Sequence, residues 1–139
     1  MCKSLLKILL IEDNPAEARL LQEVLKSFDL QQFCLVRAKR LGEALNLLHE
    51  DCFDAILLDL TLPDSVGLDS LKPLIAEAPR VPIVVLTNMN DDRLALEAVR
   101  RGAQDYLVKR HVNVEVLVRS LHYAIERKRV AERLREEKR

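Results

Sequence analysis

The chain has 139 residues, 22 of them basic and 22 acidic, with a hydrophobic fraction of 49%. That is enough apolar material for one core of ordinary domain size, and the balanced charge argues against nucleic-acid binding through bulk charge. No apolar run approaches bilayer-spanning length, and Leu5 to Ile11, interrupted by Lys7 and ended by Glu12-Asp13, is too short for a signal-peptide core. A cytoplasmic protein without membrane contact is therefore expected.

Strand and helix signals alternate five times along the chain. Lys7 to Ile11 is an apolar strand; Asp13-Asn14-Pro15 supplies capping residues and a first-turn proline, and Ala18, Leu21, Leu25 and Phe28 recur at helical spacing. Phe33 to Val36 reads as a second strand, and Leu41, Ala44, Leu45 and Leu48 as the stripe of a second helix. After Asp54, the four apolar residues Ala55 to Leu58 run straight into Asp59, which fits a strand buried on both faces. A loop from Leu60 to Val66 leads to a third helix on Leu68, Leu71, Leu74 and Ile75, which Pro73 is expected to kink or delay. Val81 to Leu86 is the fourth strand; Leu94, Ala95, Ala98 and Val99 are expected to face inward on the fourth helix, closed by Gly102. Asp105 to Val108 is the fifth strand, and Asn113 opens a last helix on Val114, Leu117, Val118, Leu121 and Ile125.

This alternation predicts an α/β fold: a five-stranded doubly wound parallel sheet in the flavodoxin-like order 2-1-3-4-5, with helices on both faces. Cys2, Cys34 and Cys52 are widely spaced and odd in number, and read as reduced, partly buried residues. His49, His111 and His122 lack paired ligand spacing and read as surface or helix-boundary residues.

In that order, the polar residues at the carboxyl ends of four adjacent strands meet in one crevice: Glu12 and Asp13, Asp59, Thr87 with Asn88, and Lys109. Three carboxylates packed together repel, and a divalent cation with oxygen ligands, best Mg²⁺, relieves that repulsion. Lys109 and Thr87 add a positive charge and a hydroxyl donor, suited to holding a phosphoryl group. A flavin carrier is disfavoured, because Glu12-Asp13 would repel the flavin phosphate. An aspartyl-phosphate phosphohydrolase usually has a second Asp two residues after its nucleophile, where this chain has Thr61, and no Gly-rich nucleotide loop is present.

Four motifs carry a family resemblance: Ile11-Glu12-Asp13-Asn14, Leu58 to Asp64 with Gly67, Val85-Leu86-Thr87-Asn88, and Gly102 to Lys109. The chain resembles the receiver domain of two-component response regulators, of the chemotaxis-regulator type, over about Lys7 to Arg127. The resemblance implies that Asp59 accepts a phosphoryl group from a histidine kinase or phosphotransfer protein. It implies that Asp13, Asp59 and the Thr61 backbone carbonyl hold Mg²⁺, with Glu12 acting through water. Thr87 and Lys109 would contact the phosphoryl group, Tyr106 would move inward behind Thr87, and the fourth helix, fifth strand and fifth helix would form the output face for an unknown downstream protein. Such a chain is a switch and not a conventional enzyme; the alternative is an unphosphorylated receiver-like scaffold. Arg110 stands where the family usually has proline and Asn88 where a small residue is common. Apolar Met89 does not orient a water, which points to a longer-lived phosphorylated form.

Residues 1–127 are assigned to the receiver and 128–139 to a charged continuation of the last helix. Between Glu126 and Arg139 lie seven basic and four acidic residues, without Gly or Pro. Leu117, Ala124 and Ala131 recur every seven residues, with Leu121 between, which suggests a homodimer seam. The same tail reads equally as a solvated helical end, with pairs such as Glu132 with Arg135, or as a signalling helix to another module. Its interleaved acids and lack of aromatics argue against nucleic acid.

Overall fold

The computed structural model describes residues 6–27, 33–111 and 113–137. The elements in chain order are β1 (Leu6–Ile11), α1 (Pro15–Ser27), β2 (Phe33–Ala38), α2 (Leu41–Glu50), β3 (Ala55–Leu58), β4 (Thr61–Leu62) and β5 (Ser65–Val66). A 3₁₀ turn (Gly67–Ser70), α3 (Leu71–Glu77), β6 (Ile83–Thr87), α4 (Asp92–Arg100), β7 (Asp105–Val108) and α5 (Val114–Glu137) follow. Five strands form a parallel sheet in the order β2-β1-β3-β6-β7, the arrangement expected once the small β4-β5 hairpin is set aside.

The two faces of the sheet follow from the two-residue period of a strand. Leu9, Ile11, Ile56, Leu58 and Val85 point to one side and pack with α2, α3 and α4; Ile8, Leu10, Ala55, Leu57 and Val84 point to the other and pack with α1 and α5. β3 and β6 are buried along their whole length, so they carry no alternation and read as unbroken apolar runs. The order in which strands are added reverses at the β1-β3 pair, and the crevice outside that pair is where an α/β sheet places a ligand.

Pro73 sits in the first turn of α3, after the 3₁₀ turn, where a missing N–H breaks no helical bond. It delays the helix and does not kink it. Gly102 has φ of +113°, a backbone conformation that favours glycine after α4, and a Cβ there would also meet Ile75 Cδ1 at 2.6 Å and push that side-chain tip aside.

Several expectations need correction. The fourth strand begins at Ile83, two residues later than read, because Val81 bonds to Ala78 in the preceding turn. The loop after Asp59 contains the β4-β5 hairpin, whose turn residue Asp64 accepts the N–H groups of Leu41 and Gly42 at 2.8 and 2.9 Å and so caps α2. Val99 is exposed, on the flank of the α4 stripe whose buried residue is Ala98. Cys52 is exposed and Cys34 half-buried, with neither in a disulfide. The sevenfold repeat on α5 is no seam between copies: Leu117, Leu121 and Ala124 are buried against the chain's own sheet, and Ala131 is exposed. Phe28 and Cys2 lie outside the described residues.

Candidate functional site

Glu12, Asp59, Thr87 and Lys109 are each the strand's last residue or the first beyond it, still tied to the neighbouring strand, and Asp13 follows one residue later. Glu12 N–H donates to the Ala38 carbonyl at 3.0 Å, Asp59 N–H to Ile11 at 3.1 Å, and Lys109 N–H to Thr87 at 2.7 Å. The sheet ladder thus sets the backbone positions of Glu12, Asp59, Thr87 and Lys109. Arg37 on β2 holds the acid pair from behind, its guanidinium donating to the carbonyls of Glu12 and Asp13, each at 3.0 Å. Asn14 then caps α1.

These side chains line a cleft of about 390 Å³ that includes Glu12, Asp13, Asp59, Thr61, Thr87 and Lys109. Glu12, Asp59 and Thr87 are buried. The Lys109 ammonium lies among carboxylates, 2.6 Å from Glu12 Oε1, 3.3 Å from Asp59 Oδ2, and in contact with Glu17 Oε1. Asp59 Oδ1 accepts the Thr61 N–H at 3.3 Å, which brings the Thr61 backbone beside the acid.

Burial pushes the Glu12 carboxyl up to about 7; neighbouring Asp59 adds to the shift and Lys109 opposes it. For Lys109, burial works against the charge, but its hydrogen bonds to Glu12 and Glu17 and the field of Asp59 outweigh it, so the ammonium is held above the ordinary lysine range. The Thr87 hydroxyl is buried with no hydrogen-bond partner among the described residues. A buried, unpartnered hydroxyl is costly in a core and informative in a cleft, because it has a donor to offer.

All the residues read from the sequence line this cleft except Tyr106, which is half-buried on β7 with its hydroxyl donating to the Met89 carbonyl. Asp13 is at the cleft but exposed; the carboxylates whose oxygens come within 4.8 Å of one another are Glu12, Asp59 and Glu17. Glu17 and Arg37 were not anticipated. Asn88 and Met89 line the mouth, and Arg110 reaches the Asn88 carbonyl at 3.5 Å. The three carboxylates that converge are the ones that surround the Lys109 ammonium, while Asp13, Asp59 and Thr61 line the same cleft with hard-oxygen donors that suit a small divalent cation.

A family model described as the response regulator receiver domain matches residues 8–122. The transcriptional regulatory protein ZraR of Salmonella typhimurium is 29% identical over 109 residues; the match covers 78% of this chain but 24% of that protein, so the chain spans about a quarter of this relative. The chemotaxis protein CheY of Listeria monocytogenes is 26% identical over 105 residues, 76% of this chain and 87% of that protein. A solved response regulator from Burkholderia pseudomallei, with a phosphorylated aspartic acid, a calcium ion and citrate, is similar with a TM-score of 0.74 and 31% identity, over 94% of this chain and 74% of that one.

Proposed function

We propose, since the chain belongs to the response regulator receiver family, that it is a phosphoryl-accepting switch with Asp59 as the acceptor. The observation that carries this reading is the buried Thr87 hydroxyl, without a hydrogen-bond partner among the described residues, lining the same cleft as the buried Asp59 carboxylate and the Lys109 ammonium. Asp59 attacks the phosphorus of a phosphohistidine on a histidine kinase or phosphotransfer protein; a P–O bond forms as the P–N bond breaks and its electron pair returns to the imidazole. Lys109 and Thr87 then meet the charge that arrives on the phosphoryl oxygens.

Asp13, Asp59 and the Thr61 carbonyl, with Glu12 through water, hold Mg²⁺ in this reading. When bound, the cation neutralises the carboxylates and the equatorial phosphoryl oxygens. What supports that assignment is that Glu12, Asp13, Asp59 and Thr61 line one cleft with oxygen donors and that the Thr61 backbone lies beside Asp59. Arg37 keeps the Glu12-Asp13 backbone in place for it.

Phosphorylation adds charge beside Thr87 and rebalances Tyr106, and with it the face of α4, β7 and α5 that meets a downstream partner. Residues 1–127 form the receiver and 128–139 an extension of it, helical through Glu137; a homodimer through α5 would use its outer residues Val130 and Leu134. The protein acts in the cytoplasm, without membrane or nucleic-acid contact of its own. No helix among the described residues is long and apolar enough to cross a membrane.

Intact-mass spectrometry after incubation with acetyl phosphate tests the reading. A single phosphoryl adduct that requires Mg²⁺ and is missing from Asp59→Asn is expected. No adduct under any condition overturns it in favour of a receiver-like scaffold.

A further inference from the structure

Glu17 occupies a position the helix cap would ordinarily claim. Asn14 caps α1 through its side-chain oxygen, which accepts the N–H groups of Ala16 at 2.9 Å and Glu17 at 3.2 Å. A glutamate three residues after the cap usually folds back onto the cap's own N–H. Here that N–H already donates to Glu12 Oε2 at 3.2 Å. The Glu17 carboxylate is released and turns to the Lys109 ammonium.

An ammonium has three N–H donors. In this chain three carboxylates from three places face them: Glu12 after β1, Glu17 on α1 and Asp59 after β3. A phosphoryl oxygen arriving at Asp59 therefore gains a donor from Lys109 only as a carboxylate yields one. The donor that faces Asp59 passes to the phosphoryl group once Asp59 is an acyl phosphate, so a second donor must come from Glu12 or Glu17, and letting go of Glu12 would strand a buried carboxyl group. The Glu17 side chain is 39% exposed at the cleft mouth and can return to water.

We infer that Glu17 is a positioning residue that parks the Lys109 ammonium in the resting chain and competes with the phosphoryl group for it. The inference rests on the phosphoryl-acceptor reading above. Glu17 is then a brake built into the first turn of α1, opposing the phosphorylated form through Lys109 without touching the phosphorus.

The test uses the full chain with Mg²⁺ and beryllofluoride as a phosphoryl stand-in, with affinity read by fluorine NMR, for wild type, Glu17→Gln and Glu17→Asp. The Asp variant keeps the charge but loses the reach to Lys109. Both variants are expected to bind beryllofluoride about fivefold more tightly than wild type. Mg²⁺ affinity alone, by calorimetry, is expected to stay within about twofold for Glu17→Asp. Unchanged beryllofluoride affinity in both variants overturns the inference. So does a Glu17→Asp variant that matches wild type while Glu17→Gln tightens, since the effect would then be long-range charge alone. A loss of about tenfold in Mg²⁺ affinity in Glu17→Asp also overturns it, by making Glu17 a cation ligand. Wild type that fails to bind beryllofluoride at all removes the phosphoryl-acceptor reading, and the inference with it.

Discussion

The two edges of the sheet both carry ion pairs, and they differ in kind. At the carboxyl edge, four carboxylates, Glu12, Asp13, Glu17 and Asp59, share one cleft with one lysine. The Lys109, Glu12 and Asp59 side chains there are 18%, 4% and 8% exposed. At the amino edge, where the extended α5 passes the sheet, oppositely charged groups pair near the surface: Arg129 with Asp54 at 3.7 Å, Glu132 with Arg80 at 3.6 Å and with Arg135 at 3.5 Å, and Lys7 with Asp51. Burial with unbalanced charge lowers stability, and a fold keeps it only where the charge has another use. Balanced, exposed pairs cost little and contribute little. The electrostatics alone separate a site from a seam.

Lys109→Met breaks the carboxyl edge most severely, leaving Glu12 and Asp59 buried without their cation. Urea denaturation in Mg²⁺-free buffer should read a loss of about 3 kcal/mol, partly recovered by millimolar Mg²⁺. A loss that Mg²⁺ does not touch would mean that Lys109 serves packing alone.

Asp59→Asn should act with the opposite sign. Removing one of the mutually repelling acids stabilises the Mg²⁺-free chain by about 1 kcal/mol and abolishes most of the stabilisation by added Mg²⁺. A destabilised Asn variant would show that the buried acid belongs to a satisfied network.

Asp64 offers a control close to the site but outside its charge cluster. Asp64→Ala removes the cap of α2 and should cost about 1 kcal/mol in thermal or urea unfolding, with much of it returned by Asn. Burial raises the Asp64 carboxyl, but the N–H groups of Gly42 and Leu41 outweigh that and hold it below the ordinary range. Because the folded value is depressed, the stabilisation is present above the ordinary aspartate range and is lost as pH falls through the lowered value. Asp64→Ala should therefore flatten the acid limb of the stability profile.

The smallest effects belong to the amino edge. Arg80→Ala and Arg129→Ala should each change stability by less than about 0.5 kcal/mol, and the difference should vanish in high salt. A larger value would make these ion pairs a structural anchor for the α5 extension and erase the contrast between the edges.

The carboxyl edge was legible in the sequence because buried parallel strands write themselves as apolar runs that stop abruptly at a polar residue. Asp59 after Ala55–Leu58 and Thr87 closing Ile83–Thr87 are the clearest cases. Glu17 was not legible. Its partner Lys109 is 92 residues away, and its place in the first turn of α1 matches an ordinary cap signal. Arg37 was hidden in the same way, because it acts on carbonyls, which leave no trace in sequence. The α5 repeat misled because a helix lying on a sheet and a helix in a coiled coil both bury residues seven apart; only the position of Leu117, Leu121 and Ala124 against β-strand side chains distinguishes them. Val99 failed for a related reason: on a short amphipathic helix the edge of the apolar stripe is set by what the helix lies against.

The most direct test of the central claim, that the unbalanced edge exists to receive a phosphoryl group on one acid, is to locate that group. The chain would be treated with acetyl phosphate and Mg²⁺, reduced with borohydride to turn any aspartyl phosphate into homoserine, digested and read by peptide mass. The account predicts homoserine in place of Asp59 alone, and none when Mg²⁺ is withheld. Homoserine at another aspartate, or the same yield at Asp59 without Mg²⁺, would contradict it.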